Sequence, residues 1–366
     1  MDVERLLDRA HDLIAIRSTA DRPADLRSAL GHVLGAVGPG FTVEHFESRG
    51  KPSALVYAGP TRPPFRVILN AHLDVVPAED RQFRARRDGD RLYGRGAQDM
   101  KVAALVMADV FATLAPDLPY PLGLQLVTDE EVGGVDGTGH QVAAGVTAGF
   151  VVIGEHSRLR VVAESKGLLQ VRLRAGGVAA HAAYPWLGDN ALRTLTAAID
   201  GILRRHPVPA GEQWTTTVNV ARIGTGNRAV NQVPADATAW LDIRFPPEDE
   251  AFAGRTPDEI VAHLGALGGE RVTVTVEAFA PPHRADPAGA EVRLLRDAAR
   301  AAGYSGDLLR KHGAADGRFY SAAGVDAVIF GPGGDGQHGP DEYLAIATVR
   351  PYHDALAGFL RRLGGG

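Results

Sequence analysis

Three residues that can bind metal ions each follow a short apolar run. They are His72, Glu131 and Glu155, which come after the apolar runs at 67–69, 124–127 and 151–153. Runs of that length bounded by turn residues predict buried β-strands. In open α/β sheets, ligands bind beyond the carboxyl ends of the strands, so we expect these side chains to converge there. A histidine and carboxylates collected at one sheet edge indicate a metal site.

Two further residues extend this predicted set. Asp99 lies on a glycine-containing loop between the first two runs, and His338 ends a glycine-rich stretch that follows the strand-like segment 327–330. Five ligands at one edge indicate two ions rather than one. The carboxylate of Asp99 could bridge two cations, although Asp99 also precedes an apolar helix at 102–111 and could instead cap it. His72 or His338 alone would be an ordinary core or surface histidine, but their joint placement favours the metal site.

Two acidic residues next to these ligands are candidates for supporting roles. Asp74 comes two residues after His72, so both side chains can point the same way and Asp74 can orient the imidazole ring. Glu130 directly precedes Glu131. One of two adjacent acids can bind metal while the other stays unbound, which general-base catalysis on a metal-activated water requires. The alternative for this acidic run is a solvated loop.

Composition limits the partners and the chemistry. The net charge is -5, with both signs interspersed, so neither nucleic acid nor an anionic membrane is an expected partner. The chain has no cysteine, which leaves histidine and carboxylate as the strong metal donors. The first residues do not resemble a signal peptide, and no run approaches the roughly 18 apolar residues of a membrane span. We therefore expect a soluble, cytoplasmic protein.

The order of the predicted elements indicates two domains, as does the length of 366 residues. Strands and helices alternate up to about residue 160, which predicts an α/β domain with a mostly parallel central sheet. Near Lys166 the pattern changes to β-α-β-β-α-β, which is typical of a ferredoxin-like α+β unit. A proline-rich stretch at 280–283 is the expected return linker. The predicted domains are therefore 1–165 with 283–366, and an inserted domain at 166–282.

The motifs as a set resemble those of a known family. The segments are HLDVVP at 72–77, GRGAQDMK at 94–101, TDEEVGG at 128–134, GE at 154–155 and HGPDE at 338–342. In this order they resemble the motifs of the M20 family of metallopeptidases and amidohydrolases, which includes acetylornithine deacetylase, succinyl-diaminopimelate desuccinylase and glutamate carboxypeptidase. The resemblance implies a zinc-peptidase-like catalytic domain, an inserted lid or dimerisation domain, and two Zn²⁺ ions per subunit, with Co²⁺ or Mn²⁺ as substitutes.

The resemblance also implies a role for each ligand. One zinc ion would be held by His72 and Glu155, the other by Glu131 and His338, and Asp99 would bridge them. Glu130 would be the general base that takes a proton from the attacking water and then donates it to the leaving amine. A glutamate at position 155, where other members carry aspartate, resembles the deacylase and carboxypeptidase branches.

The inserted domain carries further predicted site residues. His181 lies in a segment that resembles the family segment whose histidine stabilises the oxyanion, often from the partner subunit of a homodimer. Asn231 and Arg244 lie in segments that resemble substrate-binding ones, and the guanidinium fork of Arg244 suits a carboxylate. The alternatives are a turn histidine for His181 and a solvated strand edge for Arg244. Lys166 and Arg318 complete the predicted substrate-binding set.

Two departures from the family pattern bear on the substrate. Ala314 and Ala315 replace hydroxyl residues of the desuccinylase signature, which argues against that activity. Asp335 occupies a position where a neutral residue is usual, and it would either favour a cationic group on the substrate or form a turn. The sequence thus predicts a di-zinc hydrolase of an amide or peptide bond in a small carboxylate-bearing substrate, either an N-acyl amino acid deacylase or a carboxypeptidase or dipeptidase. The alternative is a catalytically inactive metal-dependent binding or regulatory protein, against which Glu130 argues.

Overall fold

The computed structural model describes residues 1–365. The helices are α1 (Val3–Ala15), α2 (Pro23–Val37), α3 (Lys101–Leu114), α4 (Thr138–Ala143), α5 (Ala191–Arg205), α6 (Pro257–Gly268), α7 (Ala290–Ala301), α8 (Gly317–Ala322) and α9 (Val349–Gly364). The strands are β1 (Thr42–Ser48), β2 (Lys51–Tyr57), β3 (Phe65–His72), β4 (Arg86–Asp88), β5 (Arg91–Tyr93), β6 (Leu122–Val127), β7 (Ala148–Ile153), β8 (Val161–Ser165), β9 (Gly167–Gly176), β10 (Thr217–Gly224), β11 (Asp236–Phe245), β12 (Val272–Ala280), β13 (His283–Arg284), β14 (Leu308–Lys311), β15 (Ala327–Ile329), β16 (Gly334–Asp335) and β17 (Tyr343–Ala345). Within residues 1–365, no helix combines the length and the apolar character needed to cross a membrane.

The chain divides into two compact units. The first contains Met1–Glu164, Arg284–Arg310 and the chain from Ala315 onward, and the second contains Ser165–His283 and Lys311–Ala314. The predicted division did not assign the short segment 311–314 to the inserted domain. A backbone hydrogen bond of 3.1 Å from the Lys166 amide to the carbonyl oxygen of Lys311 ties that segment to the second unit. Gly366, the last residue of the predicted catalytic domain, lies outside the described residues.

The first unit is built on a mixed sheet, so the predicted α/β fold class is confirmed. The sheet has the order β1-β2-β6-β3-β7-β15-β8-β13, with β14 paired to β8. Strands β6, β3, β7 and β15 are parallel neighbours, as predicted. The sheet is less uniformly parallel than expected because the hairpin β1–β2 adds to β6 in the antiparallel direction. Helix α3 is buried on nearly all sides, which accounts for its almost continuous apolar sequence.

The second unit contains an antiparallel sheet of order β10-β11-β9-β12. Its elements follow the chain order β9, α5, β10, β11, α6, β12, which is the β-α-β-β-α-β order of a ferredoxin-like unit. Strand β9 alternates buried with more exposed residues, because one face of the sheet covers a core that includes Phe245 and Phe252. Asn190 caps α5, and Thr256 and Glu259 form a capping box at α6.

A third, small sheet of order β16-β17-β5-β4 lies in the first unit. Its strands β5 and β17 pair antiparallel, with Tyr93 opposite Tyr343. This pairing brings the loop that leads to Asp99 beside the segment that follows His338.

Candidate metal centre

Parallel strands deliver three of the predicted metal ligands to one edge of the first unit's sheet. His72 is the last residue of β3, and Glu155 comes two residues after β7. Glu131 lies in the 3-10 turn Glu130–Val132, which follows β6. Because β3 lies between β6 and β7 and runs parallel to both, their carboxyl ends meet at this edge.

His72 is buried and held at both ring nitrogens. Its Nδ1 lies 3.1 Å from the carbonyl oxygen of Asp74 and 3.5 Å from the Asp74 Oδ1 atom. Its Nε2 lies 3.1 Å from Asp99 Oδ1. The carboxylate of Asp74 also accepts the backbone N–H groups of Glu130 and Glu131, at 3.2 and 3.0 Å. Asp74 therefore links the orientation of the imidazole to the position of the glutamate turn.

The two oxygens of Asp99 face two different histidines. Oδ1 contacts His72 Nε2, and Oδ2 lies 3.5 Å from His338 Nε2. Oδ2 also accepts a hydrogen bond from the side chain of Gln337, a contact that the sequence analysis missed although Gln337 adjoins His338. Asp99 does not cap α3, because Met100 is in the N-cap position. The capping alternative for Asp99 is therefore wrong.

His338 completes the cluster from the loop that follows β16. Its Nε2 lies 3.1 Å from Glu131 Oε2, and its side chain is about half exposed (47%). Its backbone φ is 60°, a left-handed conformation that residues with a β-carbon rarely adopt. Strain of this kind persists only where surrounding contacts hold it.

Glu130 and Glu155 also lie close to His72. Ligand atoms of these three residues fall within 4.8 Å of one another, as do those of His72, Asp99 and Glu131. Burial, followed by repulsion from the Glu155 carboxylate, raises the pKa of Glu130 well above its usual value. Burial also raises the pKa of Glu131. The two glutamates thus have different neighbours although they are adjacent in the chain.

The donor set fits divalent metal ions. It consists of imidazole nitrogens and carboxylate oxygens, which suit Zn²⁺, Co²⁺ and Mn²⁺. Several acidic groups lie together with little cationic compensation, and burial followed by repulsion from Asp316 and Asp74 raises the pKa of nearby Asp129 to about 7. Buried carboxylates of this density are costly unless cations neutralise them. Bound divalent ions would supply that compensation.

A buried polar network supports the glutamate turn. Asp316 Oδ2 accepts a 2.6 Å hydrogen bond from Thr138, which in turn accepts one from Asn70 on β3. Arg318, which we predicted to bind substrate, is buried and donates to the carbonyl oxygens of Gly133 (2.6 Å) and Ala315 (3.0 Å). These contacts favour a role for Arg318 in holding the turn. No local pattern in the sequence indicates this network, because its members lie far apart in the chain.

The predicted site residues of the second unit all have hydrogen-bond or ion-pair partners in that unit. His181 is exposed, and its Nδ1 accepts a 3.1 Å hydrogen bond from the Ala183 amide. Asn231 is exposed, and its backbone carbonyl accepts from the Ala182 amide at 2.8 Å, so the two loops lie side by side. Arg244 forms an ion pair with Asp242 at 2.7 Å. Lys166 donates to the carbonyl oxygen of Thr215.

Asp335, the acidic residue at an unusual position, has local partners. Its carboxylate pairs with Arg158 at 3.1 Å and accepts the amide of Gly336 at 2.8 Å. These local contacts favour a turn-forming role for Asp335 over the attraction of a cationic group on the substrate.

Comparisons with known proteins identify the family of this chain and its fold. Residues 68–362 match the model of peptidase family M20/M25/M40. A probable carboxypeptidase of Aspergillus terreus is 35% identical over 327 residues, covering 80% of this chain and 69% of that protein. A succinyl-diaminopimelate desuccinylase of Acidiphilium cryptum is 28% identical over 371 residues, covering 97% of each chain. The crystal structure of a tripeptidase from Staphylococcus aureus superposes with a TM-score of 0.81 at 20% identity over the full length of both chains, which shows a shared fold.

Proposed function

Because the chain belongs to peptidase family M20/M25/M40, a family of metal-dependent hydrolases of amide and peptide bonds, we propose that it is a two-zinc enzyme acting on small substrates with a free carboxylate. The observation that carries the two-ion proposal is the position of Asp99. Its two oxygens face His72 on one side and His338 on the other, as a carboxylate bridging two cations must.

We assign the ligands accordingly. His72 and Glu155 would hold one ion, Glu131 and His338 would hold the other, and Asp99 would contribute to both. Zn²⁺ is the proposed metal, and Co²⁺ or Mn²⁺ would fit the same donors. When bound, the ions polarise the scissile carbonyl and lower the pKa of the attacking water.

The protein's own groups then move the proton. Glu130 lies within the cluster but is not in the proposed ligand set, and Asp74 holds its backbone through the 3.2 Å hydrogen bond. We propose that the Glu130 carboxylate accepts the proton of the attacking water and donates it to the departing amine nitrogen. The C–N bond breaks as the amine takes that proton, so one carboxylic acid and one amine leave for each water consumed.

The residues of the second unit are proposed to recognise the substrate. His181 is the proposed donor to the developing oxyanion, and Arg244 with Asn231 and Lys166 is proposed to bind the substrate's carboxylate and amide groups. The second unit is also the proposed homodimer interface, and the proposed location is the cytoplasm.

The substrate class follows from a feature shared by deacylases and carboxypeptidases. Both cleave the amide bond whose nitrogen belongs to an amino acid with a free carboxylate. Ala314 and Ala315 lack the hydroxyls of the desuccinylase signature, and a relative named as a carboxypeptidase is 35% identical to this chain. We therefore favour N-acyl amino acids with a short acyl group and dipeptides over succinylated substrates.

A substrate panel tests this proposal. The purified protein, supplied with Zn²⁺ or Co²⁺, is assayed for amine release from N-acetyl, N-formyl and N-succinyl amino acids and from dipeptides, each paired with its C-terminal amide. We expect the substrates with a free carboxylate to be hydrolysed and their C-terminal amides to remain intact. A chelator should abolish this hydrolysis. Equal cleavage of acids and amides would refute the carboxylate requirement, and no cleavage by protein that binds two ions would favour the binding-protein alternative.

A further inference from the structure

Glu342 has a buried carboxylate that holds the loop leading to Asp99. Its Oε1 accepts the backbone N–H groups of Gly96, Gln98 and Asp99, at 3.0, 3.1 and 3.2 Å. Its Oε2 accepts a hydrogen bond from the guanidinium of Arg95. The side chains of Glu342 and Arg95 are only 1% and 3% exposed. Because one buried oxygen accepts hydrogen bonds from three backbone amides of the same loop, it fixes the path of the backbone into Asp99.

The other end of Arg95 holds the loop that carries His338. Its Nη2 donates to the carbonyl oxygens of His338 and Gly339, at 3.0 and 3.3 Å. These bonds act on the residue whose φ of 60° is otherwise unfavourable. The guanidinium thus reaches from the Asp99 loop to the backbone of a second predicted ligand.

The surroundings leave this pair little freedom. The Gly94 amide donates to the carbonyl oxygen of Glu342 at 3.1 Å, directly beyond the pairing of β5 with β17. A β-carbon at Gly96, where φ is 83°, would lie 2.9 Å from both Lys101 Cδ and Val75 Cγ1. The loop therefore packs tightly on its inner side while Glu342 binds its amides.

We propose that the Glu342–Arg95 pair is a positioning device that sets the metal affinity of one of the two sites. It fixes Asp99 and His338 relative to each other, although 247 residues separate Arg95 from Glu342. The ion assigned to Glu131, His338 and Asp99 depends on this pair. The ion assigned to His72 and Glu155 depends on it less, because His72 is the end of a core strand and Asp74 orients it independently. The inference rests on the proposed two-ion centre.

Metal-binding isotherms of variants test the inference. Glu342→Gln keeps the shape of the side chain but places an amide NH₂ where an oxygen now accepts hydrogen bonds. Arg95→Lys keeps the charge but loses the fork that reaches the His338 and Gly339 carbonyls. Equilibrium dialysis against Co²⁺ and Zn²⁺ gives both dissociation constants, and Co²⁺ absorption reports the geometry of each site. We expect the affinity of the site assigned to Glu131 and His338 to weaken by about 10–100-fold, as is typical for residues that orient metal ligands, and the affinity of the site assigned to His72 and Glu155 to change less.

A matched variant separates positioning from general damage. Glu164 is another buried carboxylate of the first unit, paired with Arg310 at 2.7 Å and Arg284 at 3.4 Å outside the cluster. Glu164→Gln is expected to bind both ions as the unaltered protein does. Raising free Co²⁺ should restore the kcat of the Arg95→Lys and Glu342→Gln proteins, which a misfolded centre would not allow.

The outcomes are distinct. If the variants bind both ions with unchanged affinity, lose both equally, or match Glu164→Gln, the positioning proposal is wrong. If the unaltered protein binds fewer than two ions, the proposed two-ion function fails first. Should Glu342→Gln not fold, as judged by far-UV circular dichroism, the milder Arg95→Lys protein decides the question.

Discussion

Glu130 and Glu131 are neighbours in the chain but have different partners. Glu131 contacts His338, whereas Glu130 lies close to His72 and Glu155. Among these residues, only Glu130 is not a proposed metal ligand. We therefore expect Glu130→Gln to lower kcat by about 10²–10⁴-fold, the usual contribution of a general acid–base group. Its metal content should stay at the level of the unaltered protein.

Glu131→Gln serves as the comparison, since it should reduce metal content as well as activity. Steady-state kinetics and elemental analysis on both proteins distinguish the two roles. Substantial activity in a folded Glu130→Gln protein would show that another group carries the proton.

Asp74 is expected to act through its neighbours. An asparagine there retains one acceptor, but its NH₂ group cannot accept from the Glu130 or Glu131 amide. We expect Asp74→Asn to weaken metal binding by about 10–100-fold, measured by competition with a chelating dye. Asp136→Asn, on the segment that follows the glutamate turn and with a carboxylate that accepts a hydrogen bond from Ser48, should leave metal affinity unchanged. Equal effects of the two substitutions would remove the case for Asp74 as an orienting group.

The turn that carries the two glutamates ends in a pair of glycines, and substitutions there test how tightly the turn is packed. Gly133 and Gly134 both have positive φ, at 111° and 63°. An added β-carbon meets nothing within 4 Å at Gly133 but would lie 2.1 Å from Asp316 Oδ1 at Gly134. Because Asp316 is buried and bonded to Thr138, it cannot move away easily.

Gly134→Ala should therefore destabilise the first unit by about 1–3 kcal/mol more than Gly133→Ala, the range typical of overpacking. Chemical denaturation followed by far-UV circular dichroism measures the difference. Similar losses of stability in the two proteins would mean that the turn tolerates the contact with Asp316.

Helix packing in the second unit predicts a dependence on pH. His206 follows α5 and is buried against Phe252, with His263 of α6 beyond it. Burial lowers the pKa of His206 below 6.5, and Arg205 and His263 act in the same direction while Asp249 opposes them. The unfolded chain thus takes up a proton more readily than the folded one, so this contribution to stability is complete above pH 6.5 and is lost as the pH falls.

The free energy of unfolding of the second unit should accordingly decrease from pH 7 to pH 5.5. In His206→Gln the decrease should be smaller, whereas His45→Gln, on a first-unit strand, should behave like the unaltered protein. Denaturant titrations followed by tryptophan fluorescence at the two pH values give the result. An unchanged slope in His206→Gln would assign the pH dependence to other groups.

At the scale of the whole molecule, the two units can be observed separately. The three tryptophans, Trp186, Trp214 and Trp240, all lie in the second unit, while the candidate metal-binding groups found among residues 1–365 lie in the first. Ions present at 100 times their dissociation constant stabilise the folded state by about 2.7 kcal/mol per site. Chelator should therefore lower the unfolding midpoint of the first unit without altering that of the second.

Thermal unfolding monitored in parallel by far-UV circular dichroism and by tryptophan fluorescence tests this expectation. We expect chelator to shift a component of the dichroism signal and to leave the fluorescence transition in place. A fluorescence transition that moves by the same amount would mean that the two units unfold together.

The positions of the proposed metal ligands were predictable because they follow from local patterns. His72, Glu131 and Glu155 come just after apolar runs that form β3, β6 and β7, and parallel neighbours must end at a common edge. The spacing of two residues between His72 and Asp74 likewise predicted that Asp74 lies beside the imidazole, and its Oδ1 is 3.5 Å from His72 Nδ1 although β3 ends at His72. In the second unit, Asn190 and Thr256 cap the starts of α5 and α6, and both are residue types that favour this position.

Contacts between distant segments were decided by the tertiary structure. No local pattern links Arg95 to Glu342, Asp316 to Thr138, or Lys311 to Lys166, because each pair meets only when separate elements pack. The antiparallel addition of β1–β2 to the sheet was missed for the same reason. The candidate metal-binding residues and the sheet edge at which they meet could thus be predicted, since strand length and chain direction are read from local patterns. How firmly those ligands are held depends on long-range hydrogen bonds, which only the folded chain brings together.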